Sequence, residues 1–163
     1  MSERGFIIRR AEPADAAGIA EMFNGLDRED LGDEALCPFD AAIVLRDAIG
    51  EGAILATEVA VDGEGAVIGA AAHNLAYHAE TASHARWLEM LFVAREWRSA
   101  GVAKALMSEV SRRAVEGGCD AVYWGVRMAN DGGLRFYDAI GAEDEEARIK
   151  VLMGTPLMRL AGQ

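Results

Sequence analysis

The sequence predicts one mixed α/β (α+β) domain over residues 1–163. The length is sufficient for a single hydrophobic core, and no change of composition suggests a second domain. Short apolar, β-branched runs alternate along the chain with amphipathic helical patterns. Strand-like segments follow one another in the middle of the chain, and helices separate the later ones, which indicates a mixed sheet flanked by helices.

The first elements are a strand, FIIRRA, and a helix, EPADAAGIAEMF, in which Pro13 suits the first turn. The next segment, NGLDREDLGDEALCP, is polar and acidic, and we expect a loop there. A second helix is expected at FDAAIVLRDAI, closed by Gly50.

The middle of the chain predicts a run of strands. The segment AILATEVAVDGEGAVIGAAAHNL is typical of an antiparallel hairpin around the turn DGEG. A third strand is expected at RWLEMLFV, followed by a helix from about Gly101 to Val115.

The last third predicts a strand, a short helix and a closing strand. We expect DAVYWGV to be a strand and NDGGLRFYDAIG to be a helix, with Asn130 as its N-cap. The final segment, IKVLMGTPLMRL, is expected to be a strand or a strand pair interrupted at GTP.

The net charge of the chain limits the classes of molecule that it is expected to bind. Sixteen basic residues against 27 acidic ones give a net charge of −11, which repels a phosphate backbone and argues against nucleic-acid binding. A cationic substrate would be attracted by this charge. The alternative is that the acidic surface serves solubility alone.

We expect a cytoplasmic protein with no membrane contact, because no window approaches about 18 consecutive apolar residues and the N-terminus lacks a signal-peptide core. The cysteines, Cys37 and Cys119, show no CxxC spacing, and both are expected to be small buried or half-buried hydrophobes. The histidines His73, His78 and His84 lack partners in a ligand register, so no metal site is expected. They either line a substrate pocket or lie on the surface.

The junction between the third strand and the following helix has an unusual composition. A helix N-terminus offers unpaired N–H groups and a positive dipole, and small residues let an anion such as a diphosphate approach the backbone. Basic side chains could add charge. The alternative is an ordinary tight turn with surface arginines. The residues concerned are Arg95, Arg98, Ser99, Ala100, Gly101, Ala103 and Lys104.

The stretch RSAGVA matches the pattern R/Q-x-x-G-x-G/A, and through it the chain resembles the GNAT superfamily of N-acetyltransferases over nearly its whole length. The strand LEMLFV before the turn, the strand AVYWGV, and the segment NDGGLRFY after it also match. The resemblance implies a central, mostly antiparallel sheet with splayed middle strands flanked by helices. It also implies acetyl-CoA as co-substrate, bound at this turn, and no metal.

Within that superfamily the sequence is most similar to the spermidine/spermine (diamine) and thialysine acetyltransferases. The strand LEMLFV and the stretch beginning Gly118-Cys119 carry this similarity. Met90 stands where that branch has a second acidic residue, and Met128-Ala129-Asn130 stands where it has Asp-Trp-Asn. The similarity implies polyamines, diamines or lysine-like amino acids as acceptors.

Acetyl transfer to an amine needs a base and an acid. An alkylamine has a pKa of about 10.4 and must lose a proton before it attacks. Glu89 interrupts an apolar strand and is the candidate base; the alternative is an outward-facing strand glutamate. The resemblance places Tyr137 as the acid that protonates the leaving thiolate, and the alternative is a tyrosine that packs in the core.

The remaining cofactor-binding candidates are mostly backbone groups. A strand N–H at Leu91, Phe92 or Val93 could stabilise the thioester oxygen, and Asn130 either caps its helix, contacts the pantetheine arm, or does both. The turn contributes Arg98, Ser99, Ala100, Gly101, Val102, Ala103 and Lys104. Direct attack in a ternary complex is expected, because neither cysteine lies in the active-site motifs of the resemblance and an acyl-enzyme has no obvious nucleophile.

These observations predict an acetyl-CoA-dependent N-acetyltransferase that acts on a primary amine of a small molecule. One alternative is an acetyltransferase of peptide N-termini or of an amine antibiotic. Another is a non-catalytic module that senses acyl-CoA, which would keep the turn but not need Tyr137 and Glu89. The resemblance is also compatible with a homodimer, although no interface is evident in the sequence.

Overall fold

The computed structural model describes residues 5–163. Contacts within the chain form two compact units, which divide between Arg127 and Met128. The first unit holds the sheet and the longer helices. The second holds two short helices.

The first unit is built on a five-stranded sheet in which the strands lie side by side in chain order. The first four strands pair antiparallel, and the fifth pairs parallel to the fourth. The mixed, mostly antiparallel sheet expected from the sequence is therefore confirmed. The strands are β1 (Phe6–Arg10), β2 (Ala56–Asp62), β3 (Val67–His78), β4 (Ser83–Val93) and β5 (Cys119–Tyr123).

Helices cover both faces of this sheet. They are α1 (Ala16–Leu31), the short α2 (Ala41–Val44), which continues as a π-helical turn, and α3 (Val102–Glu116). Apolar residues of α1, chiefly Ile19 and Phe23, pack with alternate residues of β2 and β3 in one buried cluster. On the other face, Val102 and Leu106 of α3 lie against Gly69, where an added Cβ would come within 3.2 Å and 3.3 Å of them.

The prediction of a loop after Phe23 was wrong for its first part, because α1 continues to Leu31. Asn24 and Gly25 are the first residues of the expected loop, but in the structure both serve tertiary packing. The amide of Asn24 donates to the Phe39 carbonyl at 2.8 Å and accepts from the Phe39 N–H at 3.0 Å. A Cβ at Gly25 would meet the Phe92 ring at 2.7 Å, so only glycine lets α1 and β4 pack this closely.

The hairpins agree with the sequence. The side chain of Asp62 accepts hydrogen bonds from the N–H groups of Glu64 and Ala66, which fixes the β2–β3 turn. At the opposite end of the sheet, Asp120 of β5 accepts from Thr81 at 2.6 Å and lies 3.0 Å from His78. The longer β3–β4 hairpin is therefore tied to β5 by side chains as well as by backbone bonds.

The second unit contains α4 (Asp131–Ala139) and α5 (Gly154–Leu160). The expected helix at NDGGLRFYDAIG is confirmed, but the closing strand at IKVLMGTPLMRL was wrong. Residues 148–153 have no regular structure and GTPLMRL is helical. Pro156 lies in the first turn of α5, where a proline lacks no needed N–H, so it begins a helix rather than interrupting a strand.

Within the described part of the chain, residues 5–163, no helix combines the length and the apolar character needed to cross a membrane.

Candidate functional site

The sheet opens between β4 and β5. The two strands pair only from His84 opposite Cys119 to Trp87 opposite Tyr123. Beyond that point β4 continues to Val93 and pairs with β3, whereas among residues 5–163 no strand pairs with its other edge. We call this stretch, Leu88–Val93, the free edge of β4. In an open sheet, ligands commonly bind where strand ends diverge.

Glu89 lies at the start of the free edge, in a β-bulge. On β3, His73 pairs with Leu88 and Ala72 pairs with Met90, so Glu89 is the extra residue with no partner opposite. A bulge locally redirects the strand and its side chains. Glu89 is exposed, and it makes no hydrogen bond or ion pair within the part of the chain that the structure describes. Its carboxylate is therefore available to solvent at the gap.

The predicted backbone donors Leu91, Phe92 and Val93 form the rest of the free edge. They pair with Ala71, Ala70 and Gly69 of β3, respectively. Successive residues of an antiparallel strand direct their N–H and C=O groups alternately to the two sides, so part of this backbone points towards the gap. The free edge can therefore pair with an extended ligand as a neighbouring strand would.

After β4 the chain turns sharply into α3. A 3₁₀ turn at Arg95–Trp97 leads to Ser99 and Gly101, which both have positive φ, 62° and 83°. Alternation of right- and left-handed conformations turns successive N–H groups towards one concave side, which suits an anion. A Cβ at Gly101 would meet nothing within 4 Å, so the space in front of the turn is open.

The N-terminus of α3 supplies further donors at this turn. The first hydrogen bond of the helix runs from the Ala105 N–H to the Gly101 carbonyl, and the N–H groups ahead of it have no intrahelical acceptor. Val102 is buried and contributes only its backbone, Ala103 is half-buried, and Lys104 is exposed. Ala100 and Ala103 are small and leave the backbone of the turn accessible.

The side chain of Arg98 folds back over the end of β4. Its Nε donates to the Val93 carbonyl at 3.1 Å, and its Nη2 donates to Glu29 of α1 at 2.6 Å. The guanidinium also lies over the Phe92 ring, 5.3 Å from its centroid, at cation–π distance. Arg98 thus fixes the shape of the turn in addition to contributing positive charge near it.

These features fit the diphosphate and the extended arm of acetyl-CoA. Converging N–H groups and a helix N-terminus suit a diphosphate, and the free edge of β4 ends directly beside them at Val93. The fit comes from the backbone more than from side-chain charge.

The remaining predicted site residues, Asn130 and Tyr137, belong to the second unit. The Asn130 side chain accepts a hydrogen bond from the Gly133 N–H at 2.8 Å, so the expected N-cap of α4 is present. Tyr137 is half-buried on α4, and its ring lies 5.2 Å from that of Phe136.

The histidines have separate environments. His73 is buried beneath α3, His78 pairs with Asp120, and His84 is exposed beside Tyr77. The expectation that they line a pocket or lie on the surface was therefore wrong for His73. Within residues 5–163, no three His, Cys, Asp or Glu side chains are grouped so that they could hold a metal ion.

Sequence reasoning did not find a buried polar cluster under α3. Glu58 of β2 is fully buried, and Arg113 of α3 lies 3.2 Å from it. His73 Nε2 lies 3.9 Å from the same carboxylate. These contacts are within ion-pair distance, but their geometry is not that of hydrogen bonds for the Glu58 carboxylate or the His73 ring. In the sequence, Glu58 lies in a predicted apolar strand beside valines. That position was the only sequence signal that its side chain would be buried.

Comparison with known proteins adds independent information. The profile of the acetyltransferase (GNAT) family matches residues 19–142. No curated protein matches the chain. A solved structure of an integron cassette protein from the mobile metagenome of V. cholerae is similar, with 23% identity, coverage of 97% of this chain and 98% of that one, and a TM-score of 0.81.

Two further similar structures carry enzyme names. One is a ribosomal-protein-alanine N-acetyltransferase from Brucella melitensis biovar Abortus, with 15% identity, coverage of 90% and 98%, and a TM-score of 0.70. The other is an aminoglycoside acetyltransferase from an uncultured soil metagenomic sample, with 15% identity, coverage of 92% and 99%, and a TM-score of 0.72. At these identities the similarity shows a shared fold.

Proposed function

Since the chain belongs to the acetyltransferase (GNAT) family and is an enzyme of the N-acetyltransferase class, we propose that it transfers an acetyl group from acetyl-CoA to a primary amine of a small molecule. The observation that carries this proposal is the free edge of β4, which ends directly in a turn of open backbone donors. Both parts of the co-substrate have a matching surface there.

Acetyl-CoA supplies an activated acyl group as a thioester when it is bound. Residues 99–104 bind its diphosphate through backbone N–H groups, with Lys104 and Arg98 adding positive charge. The N–H groups of Leu91, Phe92 and Val93 that face the gap hold the arm, and one of them donates to the thioester oxygen. Asn130 either contacts the arm or serves only as the N-cap.

Glu89 removes the proton from the protonated amine, directly or through a water molecule. An exposed carboxylate at a bulge can accept this proton, since it has no competing partner among the described residues. The amine then attacks within a ternary complex. Neither cysteine is a nucleophile in this scheme: Cys119 is buried in β5 and Cys37 lies in the segment after α1.

Tyr137 protonates the departing thiolate. A phenol has a pKa of about 10 and is protonated at neutral pH, so it can supply this proton without a metal. The resemblance of NDGGLRFY to the family segment supports this role.

The acceptor is a small amine, and polyamines, diamines and lysine-like amino acids are the first candidates for it. The net charge of −11 supports a cationic acceptor. The names of similar structures support the alternatives, a peptide N-terminus or an amine antibiotic, because one acts on a ribosomal-protein alanine and another on aminoglycosides. A cytoplasmic homodimer stays part of the proposal, and light scattering would measure the oligomeric state.

The test is thiol release from acetyl-CoA across a panel of polyamines, amino acids, N-terminal peptides and aminoglycosides. We expect release that depends on one class of acceptor and that falls about 100-fold in Tyr137→Phe. Tyr77→Phe is the matched control, because Tyr77 is an exposed tyrosine at the far end of β3. Binding of acetyl-CoA without release from any acceptor would favour the non-catalytic sensor instead.

A further inference from the structure

The last turn of α1 makes ion pairs with the chain beyond both splayed strands. Glu29 Oε1 lies 2.6 Å from Arg98, which follows β4, and Asp30 Oδ2 lies 3.0 Å from Arg127, which follows β5. We call these four residues the α1 bracket. Because β4 and β5 are parallel, both arginines lie beyond the carboxyl ends of the strands, at the side where the gap opens.

The position of these acids in the helix is informative. The C-terminal end of a helix carries partial negative charge, so carboxylates in the last turn destabilise it. Glu29 and Asp30 both lie in the last turn of α1, which ends at Leu31. Helix stability therefore does not explain them, whereas their two arginine partners do.

The two pairs reach different sides of the gap. Arg98 also bonds the Val93 carbonyl, so Glu29 acts on the turn that follows the free edge. Arg127 lies four residues after the last residue of β5, so Asp30 acts on the opposite wall of the gap. α1 itself is fixed to β4 by the close contact of Gly25 with the Phe92 ring. The helix is thus a rigid base for both pairs.

We propose that the α1 bracket sets the width of the gap, with Asp30 as the positioning residue for the wall that faces the pantetheine arm. This inference rests on the proposed binding of acetyl-CoA along the free edge. Glu29 orients the diphosphate turn through Arg98, and Asp30 holds the segment after β5 through Arg127. Neither carboxylate touches the reacting atoms.

This division of roles predicts two different binding patterns. Calorimetry would compare coenzyme A with adenosine 3′-phosphate 5′-diphosphate, the same nucleotide without its pantetheine arm. Asp30→Asn and Arg127→Gln should weaken coenzyme A binding about three- to fivefold and leave the nucleotide unchanged. Glu29→Gln should weaken both ligands by a similar factor.

Controls separate positioning from general damage. The double variant Asp30→Arg/Arg127→Asp should recover native affinity to within about twofold, since the pair is restored with its charges exchanged. Glu116→Gln breaks a similarly exposed pair with Arg112 at the distant end of α3 and should change neither ligand's affinity. Equal weakening of both ligands by Asp30→Asn, or no weakening of either, would overturn the inference.

A second readout decides the inference even if the proposed function fails. If the native protein binds no coenzyme A, the proposed function is wrong, and hydrogen exchange of the amides of residues 121–123, the last residues of β5 that pair with β4, then tests the bracket alone. Faster exchange in Asp30→Asn, with no change in Glu116→Gln, would show that Asp30 holds this wall. Identical exchange in native protein and Asp30→Asn would overturn it.

Discussion

At the scale of single residues, the site depends more on backbone geometry than on the side chains that the sequence emphasises. The bulge at Glu89, the positive φ angles of Ser99 and Gly101, and the free N–H groups of the turn are properties of the main chain. Arg98 was expected as a phosphate ligand. In the structure its side chain is engaged with Val93 and Glu29, so its first effect is to hold the turn in shape.

The proposed role of Glu89 as the base predicts that activity depends on pH. Glu89→Gln should lower kcat/KM about 100-fold near pH 7, because the amide cannot accept the proton of the ammonium group. The deficit should shrink as the pH approaches the amine pKa of about 10, since more of the acceptor is already deprotonated. Steady-state rates of thiol release between pH 7 and pH 10 measure this.

Glu64→Gln in the β2–β3 turn is the control and should follow the native profile. A deficit for Glu89→Gln that stays constant across the pH range would remove Glu89 as the base.

At the scale of elements, the sequence predicts those whose pattern and tertiary role agree. The β2–β3 hairpin, α3 and the Asn130 cap follow from local signals, and all are present. The end of α1 could not be predicted from local signals. Asn and Gly are common in turns, but Asn24 and Gly25 lie within α1 because they contact residues distant in the sequence.

The C-terminal segment and the gap show the same limit. The C-terminal segment IKVLMGTPLMRL is rich in apolar residues, which suit a buried strand as well as a helix, yet residues 154–160 are helical. The resemblance implied splayed middle strands, but the residue at which they separate was not predicted. No local signal in the sequence of β5 shows that its pairing with β4 ends at Tyr123. The end of the pairing depends on where the two strands diverge in the folded sheet.

The tie between the β3–β4 hairpin and β5 predicts sensitivity to acid. Hydrogen bonds from Ser83, Thr81 and His78 hold the pKa of Asp120 well below its usual range. A carboxylate with a lowered folded-state pKa contributes stability above its unfolded pKa of about 4, and this is lost as the pH falls further. Native protein should therefore lose melting temperature below about pH 4 more steeply than Asp120→Asn.

Differential scanning calorimetry between pH 2 and pH 6 measures this slope, with Asp33→Asn as the comparison, because Asp33 is exposed and makes no hydrogen bond or ion pair among residues 5–163. If the native protein and Asp120→Asn had parallel profiles, the hydrogen bonds to Asp120 would not contribute to the acid sensitivity.

The buried cluster under α3 predicts a stability effect. Arg113→Met should lower the free energy of unfolding by about 2–3 kcal/mol, because Glu58 would remain fully buried without its cation. Arg112→Met removes the neighbouring arginine, which pairs at the surface with Glu109 and Glu116, and should cost less than about 1 kcal/mol.

Urea denaturation measures both. The double variant Glu58→Leu/Arg113→Met should regain most of the loss, since it removes the buried charge together with its partner. Equal losses for Arg112→Met and Arg113→Met would contradict the ion pair at Glu58.

At the scale of the whole molecule, the net charge is the property that acts over the longest distance. A net charge of −11 attracts cations from solution and is screened by salt over a Debye length of about 10 Å at 0.1 M. That the two compact units form one acetyltransferase domain remains a prediction.

This charge predicts an effect of ionic strength on the acceptor. The KM for a polyamine should rise severalfold between about 0.02 M and 0.3 M salt, because screening weakens its attraction to the protein. Initial rates with a polyamine and with an amine of a single positive charge measure this, and the second should change much less. Equal changes for the two amines would show that the net charge does not select the acceptor.

The central claim is that acetyl-CoA binds along the free edge of β4 and at the turn before α3. Hydrogen–deuterium exchange with and without acetyl-CoA, resolved by mass spectrometry, tests this location most directly. Binding at this location should slow exchange in peptides that cover residues 88–104, with no comparable change in β1 or α2. Protection elsewhere with unchanged exchange across residues 88–104 would contradict it.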